Sequence, residues 1–369
     1  MARAKKQKDG VPSGTPVSPP EDDTITLDIV EHLQGLDDAH VSTMGKNKSV
    51  IINPKFLSTG LPSIDHMLGG GLAAGRITEL WSKGEGLGKS SLAAHCMAEM
   101  QRQGGEVMLM DTEHGFTGDR LRTLGVDPDE VAYVQPDHIE AACKVISGTI
   151  KYMAGQKTAP KLLIVWDSLT GTQSKQGFDA DYDQILMAAA ARSWSAVLLK
   201  LKDELAKSEI YVVMINQTRE NIGGGAFAEK HKSTGGMAMK YYAAVRLVLS
   251  RGANAWIKEG SQRIGFKVNM HTEKSRLAAP YRTGQAVLMF EDGFDRHKSL
   301  FDLLLTLKLI KPAGARYEMR GLDKSFYAKD FEKALAALPK DVEQKIINVL
   351  KEDGKLTLPV VRYFFPNAS

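Results

Sequence analysis

The sequence predicts an α/β fold: a mostly parallel sheet flanked by helices, with a short N-terminal helix–strand unit and a small C-terminal α/β domain. Three observations carry this. Short apolar runs, rich in β-branched residues, recur across residues 57–292, and stretches of helical periodicity separate the first five of them. Several runs are apolar throughout rather than alternating, as strands buried on both faces are. A glycine-rich turn, "KGEGLGKSS", stands between the first strand and the helix that follows it.

Residues 1–23 are charged and rich in Pro, Gly and Ser, which predicts a disordered tail. Residues 24–38 predict a helix: Ile29, Val30, Leu33 and Leu36 share a face and Thr24 is a candidate cap. "SVIINP" then reads as a short strand and closes a unit spanning 24–56. The strands expected in the core, 57–292, are "RITELW" (76–81), "VMLMD" (107–111), "VAYV" (131–134), "LLIVWD" (162–167) and "YVVMIN" (211–216). Three more, "VRLVLS" (245–250), "GFKVNMH" (265–271) and "AVLMF" (286–290), are separated by turns and are expected as antiparallel additions at one edge. Residues 293–369 read as a small terminal domain, with "LFDLLLTLKLIKPAGARYE" and "FEKALAALPKDVEQKIINVLKED" as helices around a turn.

Composition narrows the function classes. A chain of 369 residues with 43% hydrophobic and 25% charged residues buries a core without staples. Two cysteines, Cys96 and Cys143, read as small buried residues in a reducing compartment. No apolar run spans a membrane, and the basic N-terminus has no apolar segment behind it, so a cytoplasmic protein without a membrane partner is expected. A net charge of +4 gives no global argument for nucleic-acid binding, so any such site has to be local.

The chemistry-bearing residues sit at strand ends. In "WSKGEGLGKSS" the pattern G-x-x-x-x-G-K-[ST] finds Lys83 where a glycine is usual, and Gly84 comes one residue late. Gly84, Gly86 and Gly88 let amides turn toward phosphate, Lys89 supplies charge to the β and γ phosphates, and Ser90 offers a hydroxyl to Mg2+. Asp167 ends a buried strand where a carboxylate can hold Mg2+. Glu113, in "LMDTEHGF", is placed to polarise a water. "MINQTRENIGGGAFAEKHKSTGGMAMK" follows a strand ending in Asn216 and Gln217 with a loop of glycines and the basic residues Arg219, Lys230, His231 and Lys232, suited to a phosphodiester backbone.

Together these segments, in this order, resemble the RecA family of homologous-recombination ATPases from about Ser58 to Tyr317. The resemblance implies a DNA-dependent ATPase using ATP and Mg2+. It would form homo-oligomeric helical filaments on single-stranded DNA and pair it with homologous duplex DNA in recombination and repair of DNA damage. It implies catalytic roles for Lys89 and Glu113, γ-phosphate sensing by Gln217 in "INQTR", and a reach toward the neighbouring subunit's nucleotide by Lys274 and Arg276 in "EKSRLAAP". Nucleotide binding carries over to Gly84, Glu85, Gly86, Leu87, Gly88, Lys89, Ser90, Ser91 and Arg120, and Mg2+ to Ser90 and Asp167. Two DNA-binding loops are implied at about 174–186 and 218–236, with Arg192, Arg219, Ile222, Gly223, Lys232, Thr234, Gly235 and Gly236 as contacts. The helix and strand of 24–56 would serve polymerisation.

The sequence departs from the family at Lys83 and the extra loop residue, at Thr117 and Arg120 where the family carries its adenine-side acid and tyrosine, and at Glu220 in the second DNA loop. The C-terminal end lacks the acidic tail of bacterial members. These departures point to a divergent, phage-type member, which would work in the bacterial host cytoplasm. Two alternatives share the ATPase fold. A replicative helicase would carry an arginine finger and a larger N-terminal domain, and a ring-forming NTP-binding regulator would not need Thr234-Gly235-Gly236 in a basic loop. A mediator that coats DNA without hydrolysis would not need Lys89 and Glu113.

Overall fold

In the computed structural model, residues 50–82, 84–180, 187–220, 231–233 and 236–368 are described, with positions 30, 42 and 44. Two compact units divide at Ile52/Asn53. The predicted tail lies outside the described residues, as does the helix of 24–38 apart from Val30, which is helical. Residues 50–54 do not form the strand expected of "SVIINP". Pro54 lacks the N–H a ladder needs and biases Asn53 toward a turn.

The second unit opens with β1 (Phe56–Leu57), α1 (Pro62–Leu68), β2 (Leu72–Ala73) and β3 (Ile77–Ser82). Then come α2 (Lys89–Arg102), β4 (Glu106–Asp111), α3 (Gly118–Thr123), β5 (Val131–Val134), α4 (Ile139–Ala154) and β6 (Leu162–Asp167). The chain continues through α5 (Lys175–Phe178), α6 (Met187–Leu205), β7 (Ile210–Glu220), β8 (His231–Ser233) and α7 (Gly236–Tyr242). The long hairpin β9 (Val245–Glu259) and β10 (Gln262–Ser275) leads to β11 (Thr283–Met289), β12 (Gly293–Phe294) and α8 (Arg296–Thr306). The last elements are β13 (Ile310–Ala313), β14 (Arg316–Met319), α9 (Phe331–Ala336), α10 (Lys340–Glu352) and α11 (Leu358–Phe364).

Nine strands of the main sheet run in the order β12-β11-β10-β9-β3-β7-β6-β4-β5, and β8 pairs with β7. From β9 to β5 all neighbours are parallel. The strand of "VRLVLS" is therefore not an antiparallel addition on its β3 side: it joins β3 in parallel, with Thr78 opposite Val245, and antiparallel pairing begins with β10. The period-2 geometry of the strands divides their side chains between two helical layers. Leu163, Val165, Val213 and Ile215 pack with Leu92, Cys96 and Met97 of α2 on one face. Ile164, Trp166, Val212 and Met214 pack with Ile146 of α4 and Trp194 and Leu198 of α6 on the other. Cys96 and Cys143 are both buried and free, as expected.

A third cluster, including Phe301, Leu304, Ile310, Phe331, Ile347 and Val361, forms between α8 and the elements that follow it. The expected helix through "KLIKPAGARYE" is replaced by the β13/β14 hairpin. Lys308 and Gly314 adopt φ of 60° and 62°, and Pro312 cannot donate within a helix, so the local sequence ends α8 and turns the chain. Among the described residues no helix is long and apolar enough to cross a membrane.

His95 on α2 ties these layers together. Its Nε2 accepts from the Phe294 N–H at 2.9 Å. Nearby, Glu99 receives Arg102 and Arg296 at 2.5 Å each, and both guanidiniums lie 5.1 Å from the Tyr363 ring of α11. Burial, reinforced by Arg296, Arg102 and Arg120, pushes the His95 imidazole down to about 3. The unfolded chain therefore binds more protons between that value and the ordinary 6.5, so this contribution is complete above pH 6.5 and is lost as pH falls toward 3. Asp65, raised by burial to about 7, works in the opposite sense, losing its contribution as pH rises from 3.8 through that value. A variant separates the two: relative to His95→Gln, the wild-type chain should lose roughly 2 kcal/mol, or about 3 °C in Tm, between pH 7 and pH 5, measured by calorimetry.

Candidate functional site

β3, β7, β6 and β4 are adjacent and parallel, so their carboxyl ends open onto one edge of the sheet, where ligands bind in folds of this kind. A cavity of about 620 Å³ lies there. Its polar wall is the loop after β3 and the start of α2, from Glu85 to Ser91, joined by Glu113, Arg120, Asp167 and Gln217.

The loop is shaped by two glycines. Gly86 and Gly88 hold φ of 62° and 89°, conformations that exclude most side chains. A Cβ on Gly88 would also stand 2.8 Å from Leu288 Cδ2 and 3.0 Å from Phe294 Cζ. Gly84, which the sequence groups with these two as turning amides toward phosphate, has no left-handed φ and does not line the cavity. The chain leaves β3 instead through Ser82, whose hydroxyl donates to the Gly84 carbonyl at 2.5 Å. Lys83 lies outside the described residues.

Lys89, the first residue of α2, is only 7% exposed and donates to Ser82 Oγ at 2.8 Å. Burial pushes its ammonium down from the ordinary lysine value, against the pull of Asp167, Glu113 and Glu85. Ser90 Oγ donates to Asp167 Oδ2 at 2.7 Å. Burial raises the Asp167 carboxyl to about 6, with the Ser90 bond opposing and Glu113 and Asp111 adding to the rise. Among the described residues no three His, Cys, Asp or Glu side chains cluster as a metal site. One hydroxyl beside one carboxylate does suit Mg2+, a hard cation that completes its shell with water and substrate phosphate.

Glu113 faces this pair across the cavity. Gln217 Nε2 donates to both its oxygens, at 2.9 and 3.1 Å, and Ser168 Oγ donates to Oε1. Asp111 organises the loop by accepting the Glu113 N–H at 3.1 Å and the Tyr133 hydroxyl at 3.3 Å. Glu113 and Gln217, predicted from two separate strand ends, are thus in contact, and Asp167, from a third, lines the same cavity.

Sequence reasoning missed the apolar wall: Phe266 from β10, and Leu288, Met289 and Phe290 at the end of β11. The runs containing them were legible as strands, but their approach to the loop depends on antiparallel pairing at the far edge of the sheet. Ser168 was also missed, although it directly follows Asp167. Arg120 lines the cavity as expected and donates to the Glu291 carbonyl at 2.5 Å.

Lys274 and Arg276 do not line this cavity. Both are held at the end of α7: Lys274 Nζ donates to the carbonyls of Lys240 and Tyr241 at 2.6 and 2.9 Å, and Arg276 Nη2 to that of Tyr241 at 3.0 Å. Burial, then Arg276 and Arg246, push the Lys274 ammonium down to about 8.

The segment 218–236 is not a loop throughout. Its ends zip into the β7/β8 ladder, with Thr218 opposite Ser233 and Arg219 opposite Lys232. Ile222, Gly223, Thr234 and Gly235 lie outside the described residues, and Gly236 opens α7. Arg192 is exposed on α6. In the other segment Ser174 caps α5, accepting the Gly177 N–H at 3.2 Å, and residues 181–186 lie outside the described ones.

Two glycine substitutions test the loop. Gly88→Ala collides with Leu288, and the ATP affinity that the loop's sequence implies should fall more than about tenfold with unchanged far-UV circular dichroism. Gly86→Ala meets nothing within 4 Å, so it carries only left-handed strain of about 1–2 kcal/mol and should cost less. Calorimetric titration of both variants checks the order.

Comparison with known proteins agrees with this geometry. Residues 24–295 match the model of the RecA N-terminal domain. The chain is 31% identical to Protein RecA of Chloroherpeton thalassium over 303 residues, 82% of each chain. It is 30% identical to that of Staphylococcus carnosus over 313 residues, 85% of this chain and 84% of the other. With Protein RecA of Acholeplasma laidlawii it shares 33% over 264 residues, 71% and 77% of the two chains. A match across most of the chain, on a parallel sheet that gathers these residues at one edge, makes this protein a divergent member of the RecA family.

Proposed function

We propose that the chain is an ATP-dependent DNA strand-exchange recombinase, acting in the cytoplasm in recombination and repair. It forms helical filaments on single-stranded DNA and pairs that strand with homologous duplex DNA. One observation carries the reading. Gln217, bonded to Glu113 on the cavity floor, is followed on the same strand by Thr218, the first residue of the β7/β8 ladder that carries the candidate DNA segment. A contact at the nucleotide therefore acts on the anchor of that segment with no intervening loop.

The residues divide the chemistry. Amides of 85–90 and the positive end of α2 receive the phosphates, and Lys89 neutralises them. Ser90 and Asp167 would hold Mg2+, which when bound offsets charge on the β and γ phosphates. Glu113 takes the proton of a water whose oxygen bonds the γ-phosphorus as the bond to the leaving ADP oxygen breaks. Gln217 holds Glu113 until a γ-phosphate competes for its amide. Lys274 and Arg276 lie outside their own cavity and serve a neighbour's nucleotide, where cations stabilise charge that develops in the transition state.

Lys89→Ala should lose nucleotide affinity by about tenfold or more. Glu113→Gln should bind ATP normally with turnover reduced about 100-fold. The Glu113→Gln chain should then form helical filaments on single-stranded DNA with ATP itself, seen by electron microscopy. Closed rings would overturn the recombinase reading in favour of a ring-forming regulator, and filaments indifferent to nucleotide in favour of a mediator that coats DNA without hydrolysis.

The trans role has its own test. Lys274→Ala and Lys89→Ala chains, each inactive alone, should regain part of the DNA-stimulated turnover when mixed, because some interfaces then pair an intact loop with an intact cation. No recovery at any ratio would remove the support for a trans role of Lys274.

A further inference from the structure

Four adjacent strands, β7, β3, β9 and β10, carry a connected belt of polar side chains. Register puts Asn216, Glu79 and Arg246 on one face, with Trp81 opposite Asn216 and Glu79 opposite Arg246, while Glu273 sits where β10 shifts register against β9, beside Lys274, which lies opposite Arg246. Asn216 and Glu79 are wholly buried and Arg246 is 2% exposed. Asn216 Nδ2 donates to Glu79 Oε1 at 2.7 Å, Arg246 Nε donates to Glu79 Oε2, and Arg246 Nη1 donates to Glu273 Oε2. The Arg246 guanidinium also lies 5.4 Å from the Trp81 ring.

A buried ion pair of this kind is a poor source of stability, since desolvation offsets most of its attraction and an apolar replacement often serves as well. Its placement suggests another use. Asn216 is the peptide neighbour of Gln217, and Glu273 is the neighbour of Lys274. Thr170 Oγ1 binds both the Asn216 side chain, at 3.2 Å, and the Gln217 N–H, at 3.1 Å, so the first end is fixed as well as adjacent. The belt spans the sheet between the residue that meets Glu113 and the cation reserved for a neighbour.

We infer that Glu79 is a positioning residue, which through Asn216 on one side and Arg246 with Glu273 on the other sets the nucleotide-facing end of β7 and the interface end of β10 in one geometry. The inference rests on the roles proposed above for Gln217 and Lys274. Glu79 also acts on Lys274 by charge. Burial, Arg276 and Arg246 disfavour the Lys274 ammonium, and Glu79 favours it. Lys274 serves as a cation, so its contribution is present below its titration midpoint and lost above it.

The test substitutes Glu79→Gln, which keeps an acceptor for Asn216 and removes the charge. The first readout is the pH dependence of Lys274 amine labelling in the full chain without nucleotide or DNA, followed by mass spectrometry. Its midpoint, about 8 in the wild type, should move to lower pH in the variant. The second is DNA-stimulated hydrolysis, whose kcat should fall about tenfold while KM for ATP stays within about twofold. Glu273→Gln, at the part-exposed end of the belt, should show the same kcat loss and guards against Glu79→Gln failing to fold. An unmoved Lys274 midpoint in folded Glu79→Gln overturns the inference, as does a wild-type kcat in folded Glu273→Gln. A wild-type chain without DNA-stimulated hydrolysis would instead sink the recombinase reading, and the labelling midpoint would still judge the belt.

Discussion

A parallel sheet covered by helices on both faces meets water only where its strands end. Apart from the buried Glu79–Arg246 pair, the charged and amide groups of the site therefore stand at strand ends, and here the carboxyl ends of β3, β7, β6 and β4 share one edge. Lys89, Glu113, Asp167 and Gln217 come from segments far apart in sequence, yet the strand order makes them neighbours around one cavity. The chemistry depends on this constraint: had β7 paired elsewhere, Gln217 would not reach Glu113 and the loop after β3 would face a different wall.

Much of this was legible in the sequence because it is local. A buried strand needs a run of apolar residues, so "LLIVWD" and "YVVMIN" announced themselves, and the first charged or amide residue after each run marked the site. Gly86 and Gly88 were legible for the same reason, since a left-handed backbone favours glycine. The turn in "KPAGARYE" was local too, and Pro312 and Gly314 were there to be read against the helix. What the sequence did not display was pairing. The parallel seat of β9 beside β3, and the wall of Phe266, Leu288 and Phe290, depend on partners distant in the chain. Periodicity says which residues are buried and leaves open which strand lies alongside. The β7/β8 ladder escaped for another reason: Thr218–Glu220 and His231–Ser233 are too polar to resemble strands and extend only because they pair with each other.

The altered loop shows how a motif tolerates change. Gly84 lies outside the cavity, while the α2 start, Lys89 and Ser90, lines it. The Ser82 hydroxyl links both parts, donating to the Gly84 carbonyl and accepting from Lys89. The loop's path can therefore vary between Ser82 and Gly86 so long as Gly88 packs against Leu288 and Phe294, because that contact fixes where the helix begins.

The hold that Lys274 and Arg276 keep on the end of α7 has a consequence for selectivity. Helix-terminal carbonyls carry partial negative charge and lack partners within the helix. In a lone protomer they act as a surrogate anion, so the two cations are already satisfied. Exchanging that surrogate for a weak anion gains little, whereas a polyphosphate with full charges outbids it. On the proposed trans role, the lone chain would be shielded from stray phosphate by its own backbone, and the cations would be released where another protomer presents a nucleotide. The carbonyls that hold them close the C-terminal end of α7, the helix whose first residue, Gly236, ends the candidate DNA segment, so one short helix lies between that segment and the two cations.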